Sequence, residues 1–110
     1  MMVSYFVRYR VTASDPVAFR AYYEEQHATI LRQFPRIRSL ILHYPQSSND
    51  PFPVKPGNTT LLAQMQFDSA ADLDTALQSE ARRRAREDFL HFPPFQGEVT
   101  HEAMAARIIF

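Results

Sequence analysis

Apolar and polar side chains alternate along the first eleven residues of the chain, MMVSYFVRYRV. Five β-branched or aromatic residues share one side of this segment: Val3, Tyr5, Val7, Tyr9 and Val11. The residues between them, which include Phe6, point to the other side. A period of two with these residue types is typical of a β-strand and predicts one over residues 1–11.

The next segment changes to helical spacing. Ser14 or Asp15 can cap a helix, and Pro16 suits its first turn. One stripe about 120° wide is apolar or aromatic apart from a single histidine; it contains Phe19, Tyr23, His27, Ile30, Leu31 and Phe34. We predict a helix from Pro16 to Phe34, which Pro35 would end.

Strand and helix patterns continue to the end of the chain. Strands are predicted at Ile37–Tyr44, Thr59–Phe67 and about Glu98–Ile109, and helical pieces at Ser69–Leu77 and from Glu80 to about Phe92, with a break at Ser79. Pro45–Asn58 contains four prolines and is predicted to be a mobile loop at the edge of a ligand pocket. The order βαββαβ predicts one α+β domain over residues 1–110, with two helices on one face of a four-stranded antiparallel sheet. This is the ferredoxin-like arrangement.

Large apolar residues occur on both sides of several predicted strands. Phe6 opposes Tyr5 and Val7 in the first strand, and Leu62 opposes Leu61 in the third. The outer side of a half-buried strand is ordinarily polar, so both faces of this sheet need cover. The helices cover one face, and we expect a second copy of the sheet to cover the other in a homodimer.

Composition narrows the possible partners. Twelve basic residues balance twelve acidic ones, so the chain has no general attraction to nucleic acid or to anionic membranes. Cysteine is absent, which excludes disulfides, thiolate metal sites and a cysteine nucleophile. No apolar run approaches the roughly 20 residues that span a bilayer, and no signal peptide is visible. We expect a cytoplasmic protein without nucleic-acid or membrane partners.

His27 is the first candidate for chemistry because it shares the apolar stripe of the first helix. There it would lie between helix and sheet. It would act as a general acid or base near neutral pH, or it would be a structural histidine bonded to a carbonyl or hydroxyl. Asp88 lies on the apolar side of the second helical region, where it would orient His27, cap a buried network or pair with Arg84 at the rim.

The remaining charged groups give weaker signals. His43, His91 and His101 are scattered without the spacing of a metal site, so we expect no metal. Arg82, Arg83 and Arg84 are consecutive and would spread over about 200° of a helix. This run therefore predicts a solvated helix face rather than a binding groove.

Two segments resemble the EthD-like proteins of the dimeric α/β-barrel superfamily. They are FRAYYEEQH at 19–27, with Pro35 after the helix, and FDSAADLDTAL at 67–77, followed by Asp88 and Phe92. The resemblance implies two ferredoxin-like subunits paired sheet to sheet, each with a small-molecule pocket between helices and sheet. It also implies a cofactor-free isomerase, cyclase or monooxygenase that transfers protons on a small aromatic, lactone or polyketide-like compound.

With this resemblance, His27 and Asp88 are the expected catalytic residues. The residues expected to bind a small hydrophobic molecule are Tyr5, Tyr23, Leu40 and Phe89, and no cofactor is expected. Two alternatives stay open: a non-catalytic dimer that binds a hydrophobic metabolite or assists a catabolic oxygenase, and a haem-binding protein with one histidine ligand. An enzyme needs a second polar group within reach of His27, whereas a binding module needs only an apolar cavity.

Overall fold

The computed structural model describes all 110 residues, Met1 to Phe110. Its strands are β1 (Val3–Ala13), β2 (Ser39–His43), β3 (Leu61–Phe67) and β4 (Phe95–Ala105). Its helices are α1 (Pro16–Tyr22), α2 (Ala28–Leu31), α3 (Ala70–Leu77) and α4 (Glu80–Asp88). A π-helical turn, Tyr23–His27, joins α1 to α2, and a 3₁₀ turn, Phe89–His91, follows α4. No helix has the length and apolarity needed to cross a membrane.

The four strands form one antiparallel sheet in the order β2-β3-β1-β4. In the register of the sheet, Val7 of β1 lies between Ala63 of β3 and His101 of β4. This confirms the ferredoxin-like fold expected from the sequence. The inner face of the sheet carries the alternating residues of β1, all five of which are buried against the helices.

Aromatic side chains fill the space between helices and sheet. Tyr9 is completely buried and packs edge to face against Phe19 and Tyr23, with ring centroids 5.9 and 5.7 Å away. Phe92, just after the 3₁₀ turn, packs 5.6 Å from Phe19. Edge-to-face pairs add stability beyond the apolar area that they bury, so this cluster fixes both helical regions against β1.

Side-chain caps set the start of each main helix. Asp15 accepts a hydrogen bond from the backbone N–H of Ala18 at 3.1 Å, and Ser69 accepts one from that of Asp72 at 3.1 Å. Ser79 accepts one from the backbone N–H of Arg82 at 3.2 Å. The break predicted at Ser79 is therefore the N-cap of α4.

The helix predicted from Pro16 to Phe34 is shorter and less regular than expected. Helical structure ends at Leu31, and its middle is the π turn. Phe34 leaves the helix but is only 3% exposed, and the chain then turns at Arg36, which is left-handed with φ 68°. The second helical region also ends as an α-helix at Asp88 rather than near Phe92.

The strand ends differ from the prediction as well. β2 is shorter than predicted, and β4 starts earlier and ends at Ala105 rather than near Ile109. Ala105 is opposite Val3, the first residue of β1, and only one more backbone hydrogen bond follows, from the Ala106 N–H to the Met2 carbonyl at 2.8 Å. Residues 108–110 consequently leave the sheet and are exposed.

Candidate functional site

The π turn brings His27 to the inner side of the helix. The backbone N–H of Ala28 is bonded to the carbonyl of Tyr23, five residues earlier, which is the π pattern. Such turns occur frequently at functional sites. His27 is only 3% exposed, and its ring packs between Phe92 at 4.8 Å and Phe89 at 5.7 Å.

Asp88 holds one nitrogen of this buried ring. Its Oδ2 lies 2.9 Å from Nδ1 of His27, and its Oδ1 accepts a hydrogen bond from the Tyr22 hydroxyl at 2.7 Å. Both carboxylate oxygens are thus occupied, which offsets the cost of burying the charge. The other ring nitrogen, Nε2, has no hydrogen-bond partner in the chain.

The surroundings of His27 keep it neutral near pH 7. Burial among aromatic rings lowers its pKa below the ordinary value of 6.5, and the Asp88 carboxylate opposes this effect without cancelling it. With Nδ1–H donating to the carboxylate, Nε2 carries a free lone pair. Burial first and the Asp88 carboxylate second raise the pKa of Tyr22 to about 12, so its phenol stays a donor.

His27 lines a narrow cavity between the helices and the sheet. The other lining residues are Val7, Tyr9, Tyr23, Leu31, Phe34, Met65, Arg82, Ala85, Arg86, Phe89 and His101. The free space is about 20 Å³, which accommodates roughly one water molecule. A larger ligand requires side chains at the open end to move.

Some of the expected binding residues lie on this cavity and others do not. Tyr23 and Phe89 line it together with His27. Tyr5 is buried beside it, with its ring 6.0 Å from that of His101. Leu40 instead borders a shallow surface pocket with Arg38, so the geometry gives it no place next to the same ligand.

The loop and the predicted solvated arginine run also differ from expectation. No residue of Pro45–Asn58 lines the His27 cavity, although Pro45 borders a separate groove near Phe19. Arg82 lines the cavity, as does Arg86, while Arg83 lies in solvent bound to Glu80. Arg84 binds Gln33 rather than Asp88.

Three polar groups of the cavity were not singled out by sequence reasoning: Arg86, His101 and the hydroxyl of Tyr9. His101 faces the cavity because it pairs with Val7 on the inner face of the sheet. The Tyr9 hydroxyl is buried without a hydrogen bond of ordinary geometry, although Tyr23 is close enough to influence its pKa, which burial raises. The spacing Arg82, Arg86, Phe89 was the available signal, since residues four and three apart share a helix face.

The histidines and carboxylates form no cluster that suggests a metal. No group of three or more His, Asp or Glu side chains lies together in a way that could hold a metal ion. The His27–Asp88 pair has one carboxylate behind the imidazole, a geometry that suits proton transfer or structural hydrogen bonding.

A family model described as the EthD domain matches residues 12–93. The chain belongs to the EthD family. This confirms the family that the sequence resemblance indicated, and the matched segment contains both His27 and Asp88. None of the curated proteins compared with this EthD protein matches it in sequence.

Several solved structures share the fold of this EthD protein. An ethyl tert-butyl ether D (EthD) family protein from Bacillus halodurans C-125 has TM-score 0.77 and 21% identity, with 97% of this chain and 100% of that chain covered. SnoaB, a cofactor-independent oxygenase from Streptomyces nogalater, has TM-score 0.63 and 12% identity, with 97% and 94% covered. A dimeric protein of ferredoxin-like fold from Bacteroides fragilis has TM-score 0.58 and 12% identity, with 94% of each covered.

Proposed function

We propose that this EthD protein is a cofactor-free enzyme in which His27 removes a proton from a small, mostly apolar substrate. One observation carries the proposal: the imidazole is fixed by a carboxylate at Nδ1, while Nε2 is unpaired in a residue that lines a cavity. A base of this kind needs a free lone pair near neutral pH and a partner that accepts the resulting charge.

Asp88 suits the second requirement. It selects the tautomer with hydrogen on Nδ1, and its charge stabilises the imidazolium that forms when Nε2 takes up the substrate proton. The electron pair stays on the substrate as an enolate or phenolate. The proton then returns to another position in an isomerisation or cyclisation, and in an oxygenation the anion reacts with dioxygen. Proton abstraction is the step common to all three reactions.

The cavity walls support an aromatic or otherwise flat substrate. The rings of Tyr23 and Phe89 lie 4.9 and 5.7 Å from the ring of His27, and both residues line the cavity. Phe89 begins the 3₁₀ turn after α4, so a small displacement of that turn would enlarge the cavity. SnoaB, which shares the fold, is described as a cofactor-independent oxygenase, and this makes the oxygenase reaction worth assaying.

Hydrogen–deuterium exchange at carbon tests the proposal without knowledge of the natural substrate. A cyclic 1,3-diketone, a butenolide and an aromatic β-keto ester are incubated with the protein in D₂O, and loss of the acidic C–H signal is followed by NMR. We expect exchange above the buffer rate for at least one probe. His27→Gln keeps hydrogen bonding but is a poor proton acceptor, and should slow the exchange about 10²–10⁴-fold.

His91→Gln is the matched control, because His91 is exposed and lies outside the cavity. It should exchange the probes at the wild-type rate. If no probe is exchanged faster than in buffer, or if His27→Gln is as fast as wild type, the pair is structural and the protein is a binding module.

We further propose that two copies pair through the outer face of the sheet. Ile41 and Met104 are 41% and 48% exposed on that face, where Phe6 and Leu62 are also only half-buried. The buried Nε of Arg8 has no partner there, so an acceptor from a second copy would satisfy it. The similar Bacteroides fragilis protein is described as dimeric.

Sedimentation velocity at micromolar concentration tests this arrangement. A dimer should bury well over ~1,000 Å² in total, and Leu62→Glu should convert it to a monomer. Leu90→Glu is the control, because Leu90 is 86% exposed on the 3₁₀ turn, away from that face. A wild-type monomer, or a dimer unaffected by Leu62→Glu, would show that another surface is used or none.

A further inference from the structure

We infer that the open end of the His27 cavity recognises a carboxylate, so that the substrate class of this site is a small aromatic or unsaturated acid. Arg82 and Arg86 would hold the carboxylate, and the acidic C–H of the ligand would lie at Nε2 of His27. This inference rests on the proposed function, because it assigns a substrate class to the same site.

The ion pairs of α4 involve some of its charged residues and leave others without a partner. Arg83 is bound by Glu80 and Glu87, and Asp88 is committed to His27. Arg82 and Arg86 are in no ion pair of the structure, as are several other basic residues such as Arg8 and Arg84, but these two line the His27 cavity. Two like charges four residues apart destabilise a helix. Both remain available for an anion from outside the chain.

The guanidinium groups of Arg82 and Arg86 each lie beside an aromatic ring. The Arg82 guanidinium lies 5.6 Å from the centre of the Tyr5 ring, and that of Arg86 lies 5.7 Å from the centre of the Phe89 ring. Both arginines line the same cavity as His27. Aromatic neighbours hold the cations by their ring faces while leaving N–H donors free for a planar, bidentate acceptor.

The polarity inside the cavity agrees with this orientation. Burial raises the pKa of the Tyr9 hydroxyl most; the positive charge of Arg86 also reaches this group and lowers its pKa, while the Asp88 carboxylate raises it. His101, opposite, is kept neutral by burial and by the two arginines, which lower its pKa. When side chains at the open end move apart, a ligand with its carboxylate at the arginines would place its ring near Tyr23 and Phe89. Asp88 holds the other side of the His27 ring and is not among the residues that line the cavity.

Paired acids and amides test the inference directly. Benzoate, cinnamate and 2-furoate are titrated against benzamide, cinnamamide and 2-furamide, with binding followed through the His27 ring signals in ¹H–¹⁵N NMR. We expect each bound acid to bind at least about tenfold more tightly than its amide, in line with a charge-assisted hydrogen bond in a partly exposed site. Arg82→Gln or Arg86→Gln should remove most of this preference, and Arg83→Gln on the same helix should leave it unchanged.

Any of three results overturns the inference: equal affinity for acid and amide, no binding by any of the acids, or an undiminished preference for the acid in both cavity variants. The exchange assay with neutral C–H acids separates this failure from failure of the proposed function. If His27→Gln slows that exchange but the acids do not bind, His27 is a base that acts on an uncharged substrate. If the acids bind through the arginines but no exchange depends on His27, the cavity is an acid-binding site without proton-transfer activity.

Discussion

The two walls of the cavity place their histidines in opposite electrostatic surroundings. On the helix wall, His27 has the Asp88 carboxylate at 2.9 Å. On the sheet wall, His101 faces the charges of Arg82 and Arg86, and no carboxylate influences it. Burial lowers the pKa of both imidazoles, but the neighbouring charges act in opposite directions: the carboxylate raises the pKa of His27, and the arginines lower that of His101 further.

This difference divides the roles within one small cavity. A proton arriving at His27 is stabilised by a charge built into the chain, whereas a proton at His101 would meet two cations. His27 is therefore suited to accept a proton, and the two arginines of α4 that face His101 are suited to accept an anion. Asp88, Arg82 and Arg86 all lie on α4, so a single helix supplies both the negative and the positive charges of the cavity.

The largest expected effect comes from removing the carboxylate of the helix wall. Asp88→Ala leaves the Tyr22 hydroxyl and His27 Nδ1 without their shared partner, and we expect it to lower the free energy of unfolding by about 2–4 kcal/mol. Urea denaturation measures the loss. Asp74→Ala, an exposed carboxylate on α3, should change stability by less than about 0.5 kcal/mol. Equal effects of the two substitutions would mean that the network contributes nothing to stability.

The His27–Asp88 pair could be predicted from sequence more fully than the arginines and His101. The apolar stripe placed His27 between helix and sheet, and the apolar side of the second helical region offered Asp88. Their contact spans 61 positions along the chain, and it depends on how two helices cross the sheet. Periodicity within either helix does not contain that information, so the sequence left the pairing of Asp88 with His27 as one alternative among others.

The two arginines and His101 were missed for a physical reason. Three consecutive arginines must point in different directions, and the run alone does not show which of them faces inward. Packing decides: Ala81 and Ala85 bury against the core, and this turns Arg82 and Arg86 towards the cavity. His101 likewise depends on the register of β4, which was predicted to begin three residues too late.

The π turn is a local irregularity that could not be predicted from the sequence, unlike the regular elements and the helix caps. The strand alternation of β1 and the caps at Asp15, Ser69 and Ser79 follow from residue type alone. The π turn at Tyr23–His27 does not, because its five residues have no composition that excludes an α-helix. It lies in the segment that carries His27, so the irregular part of the helix is also the part that builds the candidate site.

The pH dependence of stability is a second way to sharpen the comparison. Because both histidines have lowered pKa values in the folded chain, the unfolded chain takes up protons first as the pH falls below about 6.5. Above that pH the two histidines should not make the free energy of unfolding depend on pH. Below it the free energy of unfolding should decrease by at most about 1.4 kcal/mol per pH unit for each histidine, until the folded histidines also protonate. Urea denaturation between pH 5 and pH 8 measures the slope.

His27→Gln should flatten this slope, because it removes one of the two imidazoles whose pKa burial lowers. A free energy of unfolding that rises as the pH falls from 7 to 5.5 would contradict this prediction. It would show that Asp88 dominates over burial and raises the pKa of His27 above the ordinary value.

A smaller effect is expected from the hydroxyl that shares Asp88. Tyr22→Phe removes one hydrogen bond of 2.7 Å to the carboxylate, and should cost about 1 kcal/mol in the free energy of unfolding. It should also raise the pKa of His27, since Asp88 then has one donor fewer to share its charge. Tyr44→Phe, whose hydroxyl bonds an exposed glutamate, is the control and should leave the His27 titration in place.

The smallest effect, and the most direct test of the difference between the walls, is a cross-comparison of the two titrations. Asp88→Asn should lower the pKa of His27 further and leave that of His101 in place. Arg82→Gln should do the reverse, raising the pKa of His101 because one of its two neighbouring cations is gone. The arginine effect should be the weaker, since Arg82 is half-buried and solvent screens its charge. Both titrations are followed by ring-proton NMR at low and high salt. If each substitution shifted the pKa values of both histidines by similar amounts, the two histidines would share one electrostatic environment. The division between a proton-accepting histidine and anion-accepting arginines would then fail.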